Sequence, residues 1–143
     1  MTYLDTSVLA AYYCPEAASD RAEAVILKAK EPLISQLVEV ELQSAVARKI
    51  REKSLSKADG IEILTRFRLH LDSQCFRRAP IEPKHYDIAG TWIARFDSSL
   101  RTLDALHLAI CFDADATLLT ADAALAKAAR HFRVNVQLIP AKQ

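Results

Sequence analysis

Short apolar runs alternate along this sequence with longer stretches of helical spacing, and that alternation leaves few folds open to it. Residues 1–5 form an apolar run ending in Asp-Thr-Ser, the pattern of a first strand and its exit turn. Residues 33–35 after Pro32, 75–79 before Pro80, 117–120 and 134–139 read as further strands. Between them the spacing predicts helices. Residues 8–14 are continuously apolar and stop at Pro15. Residues 17–30 put Ala18, Ala22, Val25 and Ala29 on one face, and residues 36–53 carry Leu37, Val40, Ala45 and Ile50. Ser56 with Asp59 resembles an N-cap pair for a helix to about Leu71. Pro83 opens a helix over 83–96, Thr102 stands as the cap of an apolar helix over 103–112, and a last helix covers 121–131. Strands that alternate with helices make an α/β fold with a mostly parallel sheet. In such sheets ligands sit beyond the carboxyl ends of the strands.

The glycines narrow the chemistry. Gly60 and Gly90 are the only two and lie far apart. A P-loop or a Rossmann dinucleotide turn needs several glycines within a few residues, so both are excluded. A G-x-S-x-G nucleophile elbow falls on the same ground. The 143 residues fit one domain, 1–143, with a single core, and 51% hydrophobic against 26% charged residues is an ordinary globular balance. No apolar run approaches the roughly 18–20 residues of a membrane span, and no basic segment precedes an apolar one at the N-terminus. Cys14, Cys75 and Cys111 show no C-x-x-C spacing and read as buried thiols in a reducing compartment, which points to the cytosol.

The acids carry the functional reading. Asp5 lies at the end of the first strand, and Asp122 two residues past the strand 117–120. Asp104 occupies the first turn of an apolar helix, and Glu41 sits early in the helix after the second strand. In a parallel sheet all four converge on one edge. Crowded carboxylates repel unless a cation neutralises them. Hard oxygen ligands suit Mg²⁺ or Mn²⁺, which engage substrate phosphates and lower the pKa of a bound water. Singly, each acid has a plainer role as a helix-start anion or a solvated side chain; the pattern carries the inference.

Four stretches carry a resemblance: Tyr3-Leu-Asp-Thr-Ser-Val-Leu, Ile34-Ser-Gln-Leu-Val-Glu-Val-Glu-Leu, Arg101-Thr-Leu-Asp-Ala-Leu-His-Leu-Ala and Leu118-Leu-Thr-Ala-Asp. In this order they resemble the signature segments of PIN domains, above all the bacterial toxins of the VapC type. The resemblance implies a three-layer α/β/α sandwich with a parallel sheet and Mg²⁺- or Mn²⁺-dependent endoribonuclease activity on RNA. It implies Asp5, Glu41, Asp104 and Asp122 at the metal-binding catalytic positions, with Ser7 and Thr120 as supporting hydroxyls. It further implies a homodimer and inhibition by a cognate antitoxin whose tail lies over the active-site groove. Glu39 stands where that family usually has an uncharged residue.

Two rivals are weighed beside this reading. A phosphotransferase of the haloacid-dehalogenase type needs a second aspartate two residues after the first, and the position is Ser7. A catalytically silent module that only binds RNA or a partner gains nothing from an idle cluster of like charges. The remaining signals are plainer. Residues 44–84 hold ten Lys/Arg against five Asp/Glu, and Arg48, Lys49, Arg51 and Lys53 read as a solvated helix face that would alternatively track an RNA backbone. Arg130, His131 and Arg133 read as a solvated helix end. His107, one turn after Asp104, is in reach of the site but reads rather as a satisfied, partly buried histidine, and His70, His85 and His131 show no ligand spacing. Trp92, Phe96 and Phe67 read as core.

Overall fold

The computed structural model describes residues 1–15 and 19–139. Five strands form one sheet: β1 (Thr2–Leu4), β2 (Pro32–Ile34), β3 (Arg77–Arg78), β4 (Thr117–Thr120) and β5 (Val136–Leu138). They run in the order β3-β2-β1-β4-β5, and every pairing is parallel. Among the described residues seven helices flank the sheet: α1 (Thr6–Tyr13), α2 (Ser19–Lys28), α3 (Gln36–Arg51), α4 (Lys57–Asp72), α5 (Pro83–Ile93), α6 (Thr102–Asp113) and α7 (Ala123–His131). The result is the α/β/α sandwich.

The central strands are short because each is buried on both faces, and such strands read as unbroken apolar runs. Tyr3, Leu4, Leu118 and Leu119 are wholly buried, with Ile34 beside them. Each aliphatic side chain so buried stabilises the fold by about 1.5–3 kcal/mol before packing is counted. Sequence order reverses direction at β1: β2 and β3 lie to one side, β4 and β5 to the other. Register sets Tyr3 beside Leu118 and Leu4 beside Leu119. The Asp5 amide then donates to the Leu119 carbonyl at 3.2 Å, which brings the exits of β1 and β4 side by side. This reversal is the switch point at which open parallel sheets hold their ligands.

Several expectations shift. The third strand shrinks to Arg77–Arg78, an edge pair pinned from outside: Arg78 donates from Nε and an Nη to the two Glu39 carboxylate oxygens at 2.8 and 3.0 Å. Glu39 is therefore an edge-strand anchor. Helix α3 turns a different face inward: Val38, Leu42 and Val46 are buried, whereas Val40 is 62% exposed and Leu37, Ala45 and Ile50 are half-buried. Helix α5 ends at Ile93, and Thr102 lies inside α6, with Arg101 at its cap position. Ser56 does cap α4, accepting the Asp59 amide at 3.0 Å. On α2, Ala22 is buried, and Ala18 lies outside the described residues. Cys14 and Cys111 are buried thiols, the latter pushed up to about 12 by burial, whereas Cys75 is exposed; none of the three is in a disulfide among the described residues. Phe67 is core, and Trp92 stacks on Phe132 at 4.7 Å, but Phe96 is 89% exposed.

Scarce glycine leaves a mark on the helix ends. Lys53, Gln74, Phe96, Asp115 and Arg133 follow α3, α4, α5, α6 and α7 with φ between 51° and 63°. That left-handed conformation is the one glycine adopts without strain. Behind Lys53, the Ser54 amide reaches back to the Lys49 carbonyl at 2.9 Å, the signature of a Schellman motif. No helix among the described residues is long and apolar enough to cross a membrane.

Candidate active site

The acids sit where buried strands turn into helices, because a helix start leaves amide donors unpaired and favours an anion. Asp5 ends β1 and caps α1. Its Oδ1 accepts the Ser7 hydroxyl at 2.6 Å and the Val8 amide at 3.2 Å, and its Oδ2 accepts the Thr120 hydroxyl at 2.6 Å. The Ser7 oxygen accepts the Ala121 amide at 2.9 Å, and the Thr120 oxygen accepts the Asp122 amide at 3.0 Å. Two hydroxyls thus tie the β1 exit to the β4 exit across the switch point. Asp5 is 4% exposed, and burial raises its carboxyl above the ordinary 3.8 while the Ser7, Thr120 and Val8 hydrogen bonds oppose the rise.

Asp122 caps α7. Its Oδ1 takes the Ala124 and Leu125 amides at 2.9 and 3.2 Å. Asp104 is half-buried in the first turn of α6. Burial raises its carboxyl, and the charges of Asp122 and Glu41 raise it further. This mutual repulsion is the electrostatic mark of acids gathered from three separate elements. Glu41 comes from α3, where its Oε1 accepts both the Thr6 hydroxyl at 2.9 Å and the His107 ring Nε2–H. Burial acts to raise the Glu41 carboxyl, but the His107 and Thr6 contacts outweigh it and hold the group below 4.5.

The sheet edge therefore collects Asp5, Glu41, Asp104 and Asp122, with Ser7 and Thr120 hydrogen-bonded to Asp5. The acids are not drawn into a tight cage. Among the described residues no three of them bring ligand atoms within 4.8 Å of one another. Open spacing of that kind suits a cation that keeps several waters. Hydrogen bonds among the described residues reach only Oδ1 of Asp122 and Oε1 of Glu41, and neither oxygen of Asp104. Beside Asp104 runs a groove of about 270 Å³ floored by Leu100, Ala124, Leu125 and Ala128 and edged by Arg101. A larger cavity, about 530 Å³, lies at the amino ends of the strands by Thr2 and Thr117, away from the acids.

Sequence reasoning underestimated three groups. His107 is buried and satisfied as expected, at 2% exposure, yet it also touches Glu41, and its position one turn after Asp104 was the available signal. Thr6 gave no signal beyond standing next to Asp5. His85, expected to show no ligand spacing, brings ligand atoms within 4.8 Å of Glu82 and Asp113 at the far end of α6. That group is a structural bracket. The Glu82 amide donates to His85 Nδ1 at 2.9 Å, so Nε2 carries a proton toward Asp113 at 2.9 Å. The Lys84 ammonium already sits 3.2 Å from Glu82 and 3.1 Å from Asp113. A metal there would displace one cation and strip a donor proton.

The basic stretches singled out in the sequence lie at helix ends. Arg48, Lys49 and Arg51 occupy the last turn of α3, about two to three turns beyond Glu41, where cations complement the helix dipole. Arg130 and His131 do the same on α7, and His131 Nε2 lies 3.2 Å from Asp97.

Comparison with known proteins adds to this geometry. A family profile described as the PIN domain matches residues 2–131. No curated protein sequence matches the chain. Among solved structures, the chain is similar to VapC20 of Mycobacterium tuberculosis, described as a sarcin-ricin loop cleaving toxin. That similarity has a TM-score of 0.71 at 18% identity over 90% of this chain and 95% of that one. It is similar to VapBC2 of Rickettsia felis, solved bound to a promoter DNA fragment, with a TM-score of 0.67 at 19% identity over 96% and 98%. FitAcB of Neisseria gonorrhoeae matches with a TM-score of 0.64 at 18% identity over 95% and 96%.

Proposed function

The chain belongs to the PIN-domain family, and on that premise we propose that it is a divalent-metal-dependent endoribonuclease, the toxin of a toxin–antitoxin pair. The observation that carries the proposal is the gathering of Asp5, Glu41, Asp104 and Asp122 at the switch point, where burial raises the Asp104 carboxyl and the charges of Asp122 and Glu41 add to the rise. Like charges brought together repel, and that repulsion calls for a cation partner.

The donor set fits Mg²⁺ or Mn²⁺. It is all carboxylate, and the oxygens of Asp104, with Oδ2 of Asp122 and Oε2 of Glu41, have no hydrogen bond among the described residues. When bound, the ion supplies a water of lowered pKa and charge stabilisation at the scissile phosphate. The chain's own residues do the rest. Ser7 and Thr120 hold the Asp5 carboxylate in one rotamer. Asp122 keeps one oxygen turned from its cap. Arg101, beside Asp104 at the groove's edge, is placed to meet a backbone phosphate, and the apolar floor of Leu100, Ala124 and Ala128 is suited to a base or ribose. The resemblance to VapC-type toxins supports a cognate antitoxin and a homodimer as partners, and a cytoplasmic setting.

The test is incubation of the purified chain with a panel of structured RNAs in Mg²⁺, Mn²⁺, Ca²⁺ or chelator, with the cut sites mapped. Cleavage in Mg²⁺ and Mn²⁺, poor cleavage in Ca²⁺ and none in chelator is the expected result. RNA that is bound but never cut, with or without metal, would return the chain to the silent binding module.

A further inference from the structure

Beneath the acids a buried chain of hydrogen bonds runs through three elements. The Ser35 hydroxyl lies 2.9 Å from the Tyr3 hydroxyl, which lies 2.7 Å from His107 Nδ1. His107 Nε2 then meets Glu41 Oε1. Tyr3 and Ser35 are wholly buried, and Ser35 stands at the cap position of α3 while its hydroxyl serves Tyr3 instead of the helix. Such a diversion leaves the helix start without its side-chain cap.

We propose that His107, braced by Tyr3 and Ser35, is a positioning residue that fixes Glu41 with Oε1 tied back and Oε2 presented to the metal. The inference rests on the metal-dependent reading of the four acids. Nε2 must donate, because an ionised Glu41 offers only acceptors. Thr6 donates to the same oxygen from the opposite element, so both bonds converge on Oε1 and leave Oε2 to the site. The Tyr3 contact on Nδ1 fixes the imidazole plane from the side opposite Glu41. Burial raises the Tyr3 hydroxyl well above its ordinary 10.0, so it stays a hydrogen-bonding phenol. Asp5 and Asp122 are oriented by backbone amides, whereas Glu41 accepts none among the described residues, and the histidine supplies that restraint. Groups that orient metal ligands in this way typically change metal affinity 10–100-fold when removed.

The experiment is a Mn²⁺ titration of the RNA-free chain, by calorimetry or electron paramagnetic resonance, across His107→Leu, His107→Gln and Tyr3→Phe. Leucine fills the space without a donor, and glutamine returns an amide N–H at similar reach. Expected are a loss of Mn²⁺ affinity of roughly 10–100-fold in His107→Leu, recovery of most of it in His107→Gln, and an intermediate loss in Tyr3→Phe. Asp5→Asn serves as the control that removes a ligand. Parent-like Mn²⁺ affinity in His107→Leu, alongside weakened binding in Asp5→Asn, overturns the positioning role and spares the nuclease reading. Equal losses in His107→Leu and His107→Gln also overturn it, as does a parent chain that binds no Mn²⁺. Should His107→Leu fail to fold, the other two variants decide: parent-like affinity in Tyr3→Phe overturns the brace. Ordered losses in Mn²⁺ affinity without RNA cleavage would uphold the positioning role while refuting the nuclease.

Discussion

Asp5→Asn separates stability from activity, and its direction follows from the hydrogen bonds around it. In the parent, Oδ1 takes Ser7 and Val8 while Oδ2 takes Thr120. An asparagine keeps the first pair on its carbonyl and turns its amide to the Thr120 oxygen. The displaced Thr120 proton then has the Ser7 oxygen at 3.3 Å. The hydrogen-bond count is preserved and the buried charge is removed. Because burial raises the folded carboxyl above 3.8, the folded state holds this proton more tightly than the unfolded chain. Stability conferred by the protonated form is thus complete below the unfolded value and is lost as pH rises through the folded one. Across that window the metal-free parent loses up to about 1.4 kcal/mol per pH unit relative to the variant. The parent should therefore lose stability relative to Asp5→Asn as pH rises above 3.8, with the gap constant below it and Asp5→Asn the more stable at pH 7 in chelator. Saturating Mg²⁺ reverses the order, since an ion at 100 times its Kd stabilises the parent by about 2.7 kcal/mol. Cleavage by the variant should be absent. Urea melts from pH 4 to 8, with and without Mg²⁺, read the prediction; a parent–variant gap that is constant in pH would refute the reasoning.

Neutralising Arg51 and Lys53 together should leave the salt dependence of RNA affinity unchanged, because they lie at the end of α3 remote from Glu41; a log–log slope flattened by about 0.7 per residue would instead put them on the phosphate backbone. Phe96→Gly should raise stability by about 0.5–1 kcal/mol, since the ring is 89% exposed and its φ of 55° strains any residue with a Cβ; thermal melting reads this as a rise of roughly 2–5 °C, and a fall would mean that the ring has a packing role. Expression of the chain alone should arrest growth, and co-expression of its antitoxin should relieve the arrest; normal growth with a verified active nuclease would count against the toxin role and not against the family.

The strand-end acids were legible in the sequence because they follow short-range rules. A buried strand must end where polarity begins, and Asp5 and Asp122 are both strand exits and helix caps. The strand at 117–120 was read to the residue for the same reason. The inward face of α3 was not, since Val38 and Val40 are equally apolar and only the sheet decides which is buried. The third strand was overestimated because its two paired residues depend on Glu39, distant in sequence. Phe96 looked like core by type, whereas the end of α5 turned it outward. The His107 contact with Glu41 spans 66 residues, and no periodicity along either helix announces it.

The order of the strands also determines when the four acids can share one site. During synthesis β1 emerges first and lies at the centre of the final sheet, but its neighbour on one side, β4, emerges after most of the chain. Until β4 docks, Asp5 lacks the Thr120 hydroxyl that grips it, and Asp122 is not yet beside it. A chain in which β4 has not yet paired therefore carries the acids without a shared site. The gathering of the acids depends on the pairing of β4 with β1 and is lost when that pairing opens.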